Sequence, residues 1–282
     1  MSTTCTTADT RSPAARPRWR DLIAAEWIKL TSLRSTPIVL GLLVPLYLYF
    51  AHGGAATTYA DWPTLAAELK RHPDPAHDAF PFPKFLLLMA TAGTLGAMTV
   101  AGEQASGLIR TTFIAVPART RVLAAKAAVL AGTLAVVGLV IGVGVWGVTL
   151  ATYGDRIPGF SYGTPGVARA VAGTAVMLAV CGLIGMALAA IIRNTAGTVF
   201  AVLVFFLAGP VAGKGRVPPL DADRSAHVTN ALPGYAWGRL TVMDPGHTVE
   251  RLPSVPTAWI TLAAWAFAAL AVMLPLLRRR DV

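Results

Sequence analysis

An all-α integral membrane fold is what this sequence predicts, and three observations carry the prediction. Charged residues make up only 13% of the 282, against 55% hydrophobic, and the mean hydropathy is +0.59. Soluble domains carry about 25% charged residues, so a water-facing surface would go largely uncovered. Six long stretches contain no Asp, Glu, Lys, Arg or His. The basic residues are also divided unevenly among the segments that connect those stretches.

Taken in order, residues 1–18 read as a disordered polar tail, and 19–282 as one six-span membrane domain. Trp19–Leu33 has the pattern of an amphipathic helix lying along the membrane interface. At 100° per residue, Trp19, Leu22, Ile23, Trp27, Leu30 and Leu33 share one arc, and Arg20, Asp21, Lys29 and Ser32 lie mainly opposite. Glu26 breaks the pattern by projecting near the middle of the apolar arc. A carboxylate facing lipid is costly and needs a partner. Two sources are open: Lys29, three residues on, or a basic group from another segment on the same side of the membrane.

A helical span needs about 20 mostly apolar residues to cross roughly 30 Å of hydrocarbon. The candidates are Thr36–Ala51, Phe85–Gly102, Ala127–Tyr153, Ala170–Ile192, Thr195–Gly213 and Ala258–Leu277. Pro37 suits a first helical turn, whereas Pro45 is expected to kink the first span. That span reads as uncleaved, because the basic segment before it is far longer than a signal-peptide n-region and Ala51-His52-Gly53 is a poor cleavage site. Gly138 and Gly142 in the third span, and Cys181 with Gly185 in the fourth, have the small-x-x-x-small spacing that lets helices approach closely. In spans this rich in Gly and Ala, packing within the chain is expected.

Orientation follows from the Lys/Arg bias. With both termini cytoplasmic, the inner segments (1–35, 103–126, 193–194 and 278–282) hold 14 Lys/Arg against five acids. The longer outer segments (52–84, 154–169 and 214–257) hold 10 against nine. The formal charge of +10 is therefore a topology signal matched to anionic lipid headgroups, not a nucleic-acid footprint, and the location implied is the cell membrane. Cys5 and Cys181 sit in incompatible surroundings and read as free thiols. The outer string Arg71-His72-Pro73-Asp74-Pro75-Ala76-His77-Asp78 gathers two His and two Asp, but its prolines break any helix that would converge them. It reads as a solvated loop, with no metal site. A short dip back into the outer leaflet is expected around Leu232–Trp237.

The connection between the second and third spans is the most informative. Residues 103–126 are too polar to be embedded and too apolar to be a free linker. Leu108, Ile109, Phe113 and Ile114 would form an apolar patch framed by Glu103, Arg110, Arg119 and Lys126. A short apolar helix in a charged frame suits docking into a groove on another protein.

Here the chain resembles the permeases of ABC exporters of the second type. The resemblance rests on Ala25-Glu26-Trp27-Ile28-Lys29-Leu30 with Leu33-Arg34-Ser35-Thr36, and on Glu103 followed by Gly107-Leu108-Ile109-Arg110. Pro117, Arg119 and Lys126 follow at the family's spacing, with the basic end Arg278-Arg279-Arg280-Asp281. It implies that Trp19–Leu33, with Trp19, Glu26, Trp27 and Lys29, is the connecting helix along the inner leaflet. It also implies that Glu103–Pro117 contains the coupling helix that meets an ATP-hydrolysing subunit, with Glu103, Gly107, Leu108, Arg110, Phe113, Pro117 and Arg119 as coupling residues. The partners so implied are an ABC ATPase subunit and a second permease subunit, identical or not, within membrane lipid.

No catalytic, cofactor-binding or metal-binding residue is expected. The string nearest to a phosphate loop, Gly209-Pro210-Val211-Ala212-Gly213-Lys214-Gly215, is one residue short and lacks the magnesium-binding hydroxyl. ATP would have to be hydrolysed by another chain, with this one moving cargo across the membrane. Two other classes stand beside that reading. A non-transporting scaffold, sensor or immunity protein could use the same loop merely to recruit a partner. An ion-coupled secondary transporter would need ionisable groups inside the spans, and the six stretches have none.

Overall fold

The computed structural model describes residues 18–32, 34–67, 70, 73–105, 119–157, 159–212, 228–243 and 253–279. Its principal elements are α-helices: α1 (Trp19–Ser32), α2 (Ser35–Asp61), α3 (Pro75–Ala79), α4 (Phe82–Ala105), α5 (Arg119–Tyr153), α6 (Val167–Ile192), α7 (Thr195–Ala212), α8 (Pro233–Thr241) and α9 (Val255–Arg279). No strand occurs among the described residues.

Five of the helices, α2, α4, α5, α6 and α9, are long and apolar enough to cross a membrane. The sixth expected span forms α7, whose apolar stretch Thr195–Leu207 is shorter. Except for α7, these helices outrun the stretches that announce them at one end or both. α2 continues through Pro45 and past His52 to Asp61, and its last turns are held from outside. His52 Nδ1 lies 3.0 Å from Thr152 Oγ1, and Ala55 is buried with Tyr153 and Ile157.

α6 is the hub. It packs against α4, α5, α7, α8 and α9, and small residues on several of its faces allow this. A methyl on Gly96 of α4 would collide with the backbone of Gly182 on α6, and one on Gly185 would collide with the backbone of Gly93 on α4. On the α5 side, Gly138 would meet the Ala175 Cα and Thr174 O at 2.8 Å. The small-residue pairs read from sequence therefore face neighbours within this chain. α6 begins after Gly166, whose φ of 97° is open to glycine at little cost. It ends at Arg193, left-handed at φ 61°, whose N–H donates to Ala189 O at 3.1 Å. Asn194 then caps α7, its Oδ1 accepting from Ala196 N at 3.0 Å.

The expected dip at Leu232–Trp237 is a helix. α8 is inserted against α6 and α9, and Trp237 is fully buried, stacked on Phe85 with its Nε1 donating to Thr174 Oγ1 at 3.0 Å. Arg169 of α6 closes the far end, donating to Leu240 O at 3.1 Å and Val242 O at 2.6 Å. The string 73–78 is not the solvated loop expected. Asp74 caps α3 through Ala76 N, and Asp78 is buried against Tyr153 at 2.5 Å. Its prolines start a short helix that packs on α2 and α5.

The outward faces are apolar. Ile38, Leu42 and Tyr49 on α2, Val136, Leu139 and Val140 on α5, Phe200 on α7, and Ile260 and Phe267 on α9 are all exposed. Water penalises a surface of that kind, and hydrocarbon does not.

Candidate functional site

The site begins with the spacing of one face of α1. Leu22, Glu26 and Leu30, one helical turn apart, are buried toward the bundle. Leu22 packs with Val122 and Ala125 of α5, with Ile23 beside them. One turn beyond Val122 on α5 comes Lys126, placed opposite Glu26.

Four charges meet there. Glu26 Oε2 lies 2.5 Å from Lys126 Nζ, and its Oε1 lies 2.6 Å from Lys29 Nζ. Glu103, in the last turn of α4, brings its Oε1 to 2.7 Å from Lys126 Nζ and 3.4 Å from Lys29 Nζ. Among the described residues each acid therefore has two cations and each cation two acids, so these four charges sum to neutrality. That neutrality is what lets Glu26 and Lys126, 4% and 8% exposed at their side chains, leave water. Burial draws the Lys29 ammonium down, but the hydrogen bond to Glu26 and the charge of Glu103 outweigh it, and its pKa rests above the ordinary lysine value.

Both sources open for Glu26 in the sequence are used at once, Lys29 from its own helix and Lys126 from α5. The carboxylate does not face outward: the apolar arc of α1 divides around it. Leu22 and Leu30 turn inward with Glu26, while Trp19 and Trp27 stay about half exposed, at 46% and 50%. Leu33 lies outside the described residues. So do Gly107, Leu108, Arg110, Phe113 and Pro117, and Arg119 is the first residue of α5. Glu103 and Lys126 bracket that segment, and Glu26 joins α1 to Lys126 directly.

Beside the network lies a partly open cleft of about 420 Å³, lined by the four charged residues together with Met98, Thr99 and Leu130. It adjoins a second compartment of about 380 Å³ between α2 and α4, backed by α5. Sequence reasoning missed this cleft because nothing in the period of α2 or α4 tells that the two helices lean apart. No group of three or more His, Cys, Asp or Glu able to hold a metal occurs among the described residues. Cys181 is a buried free thiol. Chemically, the arrangement places a paired charge network beside a mostly apolar cleft. No protein-family model matches the chain, and neither does any curated protein.

Proposed function

We propose that this chain is the membrane-spanning permease subunit of an ATP-driven ABC exporter, with α2, α4, α5, α6, α7 and α9 as six spans and both termini cytoplasmic. α1 then lies at the inner interface, Trp19 and Trp27 turned to the headgroups, where amphipathic rings are favoured. α8 becomes a re-entrant helix in the outer half of the bundle. The ATPase is a separate chain, and a second permease subunit completes the pathway.

One observation carries the reading: the Glu26–Lys29–Glu103–Lys126 network ties α1 to both flanks of 106–118. A push delivered to that segment would reach α4 through Glu103 and α5 through Lys126, and Glu26 would relay it to α1. Long exposed charges are loosely held, but Glu26, Glu103 and Lys126 are largely out of water and paired with one another, and a satisfied network of that kind is rigid. The resemblance of 103–126 to a coupling segment gives the push a source.

The test is co-purification. Isolated in mild detergent from cells, the wild-type chain should bring down an ATPase chain carrying a phosphate loop, and alone should hydrolyse no ATP. Leu108→Asp would place a charge on the patch expected to dock, and Gly107→Pro would cost about 3 kcal/mol in the short helix that the resemblance implies. Both variants should insert normally and lose the ATPase. A wild-type chain that transports with no such partner, or variants that keep it at full stoichiometry, would overturn the reading.

A further inference from the structure

The cleft exists because α2 packs on α5 and barely touches α4. Its two compartments share Leu30, Met98, Thr99, Gly102 and Leu130, so they lie side by side. Their combined size is that of small-molecule sites in general, a few hundred to about 1,000 Å³.

The compartments differ in chemistry. The inner one presents Ser35 and five threonines, and four of the threonines have spent their donors. Thr91, Thr94, Thr99 and Thr133 each donate to a carbonyl of their own helix, at 2.7–2.8 Å. The rest of the lining is apolar, with Val39, Leu40, Leu95 and Leu134. A compact polar solute would leave its hydrogen-bonding groups unpaired there. The mouth is charged, but its charges are unequally available. Both carboxylates are engaged by Lys126, and these three side chains are 4%, 12% and 8% exposed. Lys29 is 37% exposed. An ammonium has three donors, and the contact with Glu26 at 2.6 Å and the longer one to Glu103 at 3.4 Å leave capacity toward the cleft.

We propose that this cleft binds a phospholipid-like amphiphile, its anionic headgroup on Lys29 at the mouth and an acyl chain in the gap between α2 and α4. The accessible charge selects an anion, and the spent threonines select a hydrocarbon chain. The site goes beyond the transport reading, because it holds whether the amphiphile is cargo or a resident lipid and whether or not an ATPase drives the chain.

Photolabelling of the full-length protein in mild detergent tests this. The probe is phosphatidylglycerol with a diazirine on one acyl chain, and the comparator is diacylglycerol bearing the same chain. Labelling by phosphatidylglycerol should saturate, map to the Thr91–Thr99 and Val129–Leu134 faces, and be suppressed by excess unlabelled phosphatidylglycerol. Lys29→Gln should weaken phosphatidylglycerol labelling about tenfold, the scale of one charge-assisted contact, and leave diacylglycerol labelling nearly unchanged. Thr94→Trp should abolish both, and Phe200→Trp, on an exposed face of α7, should alter neither. Uncompeted labelling spread evenly over the outer faces of α2, α7 and α9 would mean annular lipid only and overturn the site. So would an absence of cleft labelling in the wild type, or indifference to Lys29→Gln. Competition in the wild type decides even if Thr94→Trp fails to fold. None of these readouts involves ATP, so failure of the site and failure of the transport reading are separately visible.

Discussion

Lys126 neutralises two buried carboxylates at once, and its loss is the most disruptive single change in the network. Lys126→Met should lower stability by about 3–5 kcal/mol, the usual cost of stranding a buried charge. Adding Glu26→Gln to that variant should recover part of the loss, since Glu103 keeps Lys29. Asp21→Asn should stay within about 0.5 kcal/mol, because Asp21 is exposed and only accepts from the Arg18 N–H. Thermal unfolding in detergent ranks the three. The raised pKa of Lys29 fixes the sign of a pH effect. The folded state holds this proton more tightly than the unfolded chain. The contribution is therefore complete below the ordinary lysine value of about 10.4 and is lost as pH rises through the higher folded value. As pH rises past about 10.4, the wild type should lose stability faster than Lys29→Gln, and parallel curves would contradict the network. The sequence shows that Glu26 needs a partner, because a carboxylate among Trp19, Leu22 and Leu30 is too costly alone. It cannot show which, since Lys126 lies a hundred residues away and helical period relates only near neighbours.

At the level of helices, the crossing of α4 on α6 is backbone against backbone, and its glycines are irreplaceable for steric reasons. Gly96→Ala and Gly185→Ala should each force the helices apart and cost about 1–3 kcal/mol or more. Gly132→Ala should be neutral or mildly stabilising, because nothing lies within 4 Å of the added carbon. Equal melting temperatures for all three would contradict the packing. Cys181 and Gly185 are legible as a small-residue pair, but the residues that meet across the crossing are Gly93 and Gly96 with Gly182 and Gly185, and a one-dimensional pattern does not reveal which faces oppose. Helix interiors were readable from the uncharged stretches, as were the ends at Tyr153, Ile192 and Thr195, whereas other ends were not. α2 passes His52 because Thr152 receives its ring, a tertiary contact that composition cannot anticipate. The insertion of α8 is of the same kind: Leu232–Trp237 is apolar enough to be noticed, yet its position depends on Arg169, Thr174 and Phe85 from other helices.

For the whole molecule, the proposed six-span topology predicts opposite fates for exposed cysteines placed on opposite sides. In a background without Cys5 and Cys181, Thr64→Cys and Gly163→Cys should react with an impermeant thiol reagent in intact cells, and Ser32→Cys and Ala105→Cys should be protected until the cells are opened. Those four positions are exposed. The reverse pattern would invert the membrane orientation, and with it the meeting of the 106–118 segment with a cytoplasmic ATPase. The all-α membrane class was legible because lipid leaves a compositional mark along the entire chain. The cleft and the charge network were not, because they arise where distant segments meet. On the proposed function, force applied at 106–118 reaches the spans through the network, and ATP turnover by the complex reconstituted in liposomes reads that transmission out. Cargo-stimulated hydrolysis is expected in the wild type and is expected to fall to the unstimulated rate in Glu26→Gln/Lys126→Met, with the ATPase still bound. Undiminished stimulation in that variant would contradict the account.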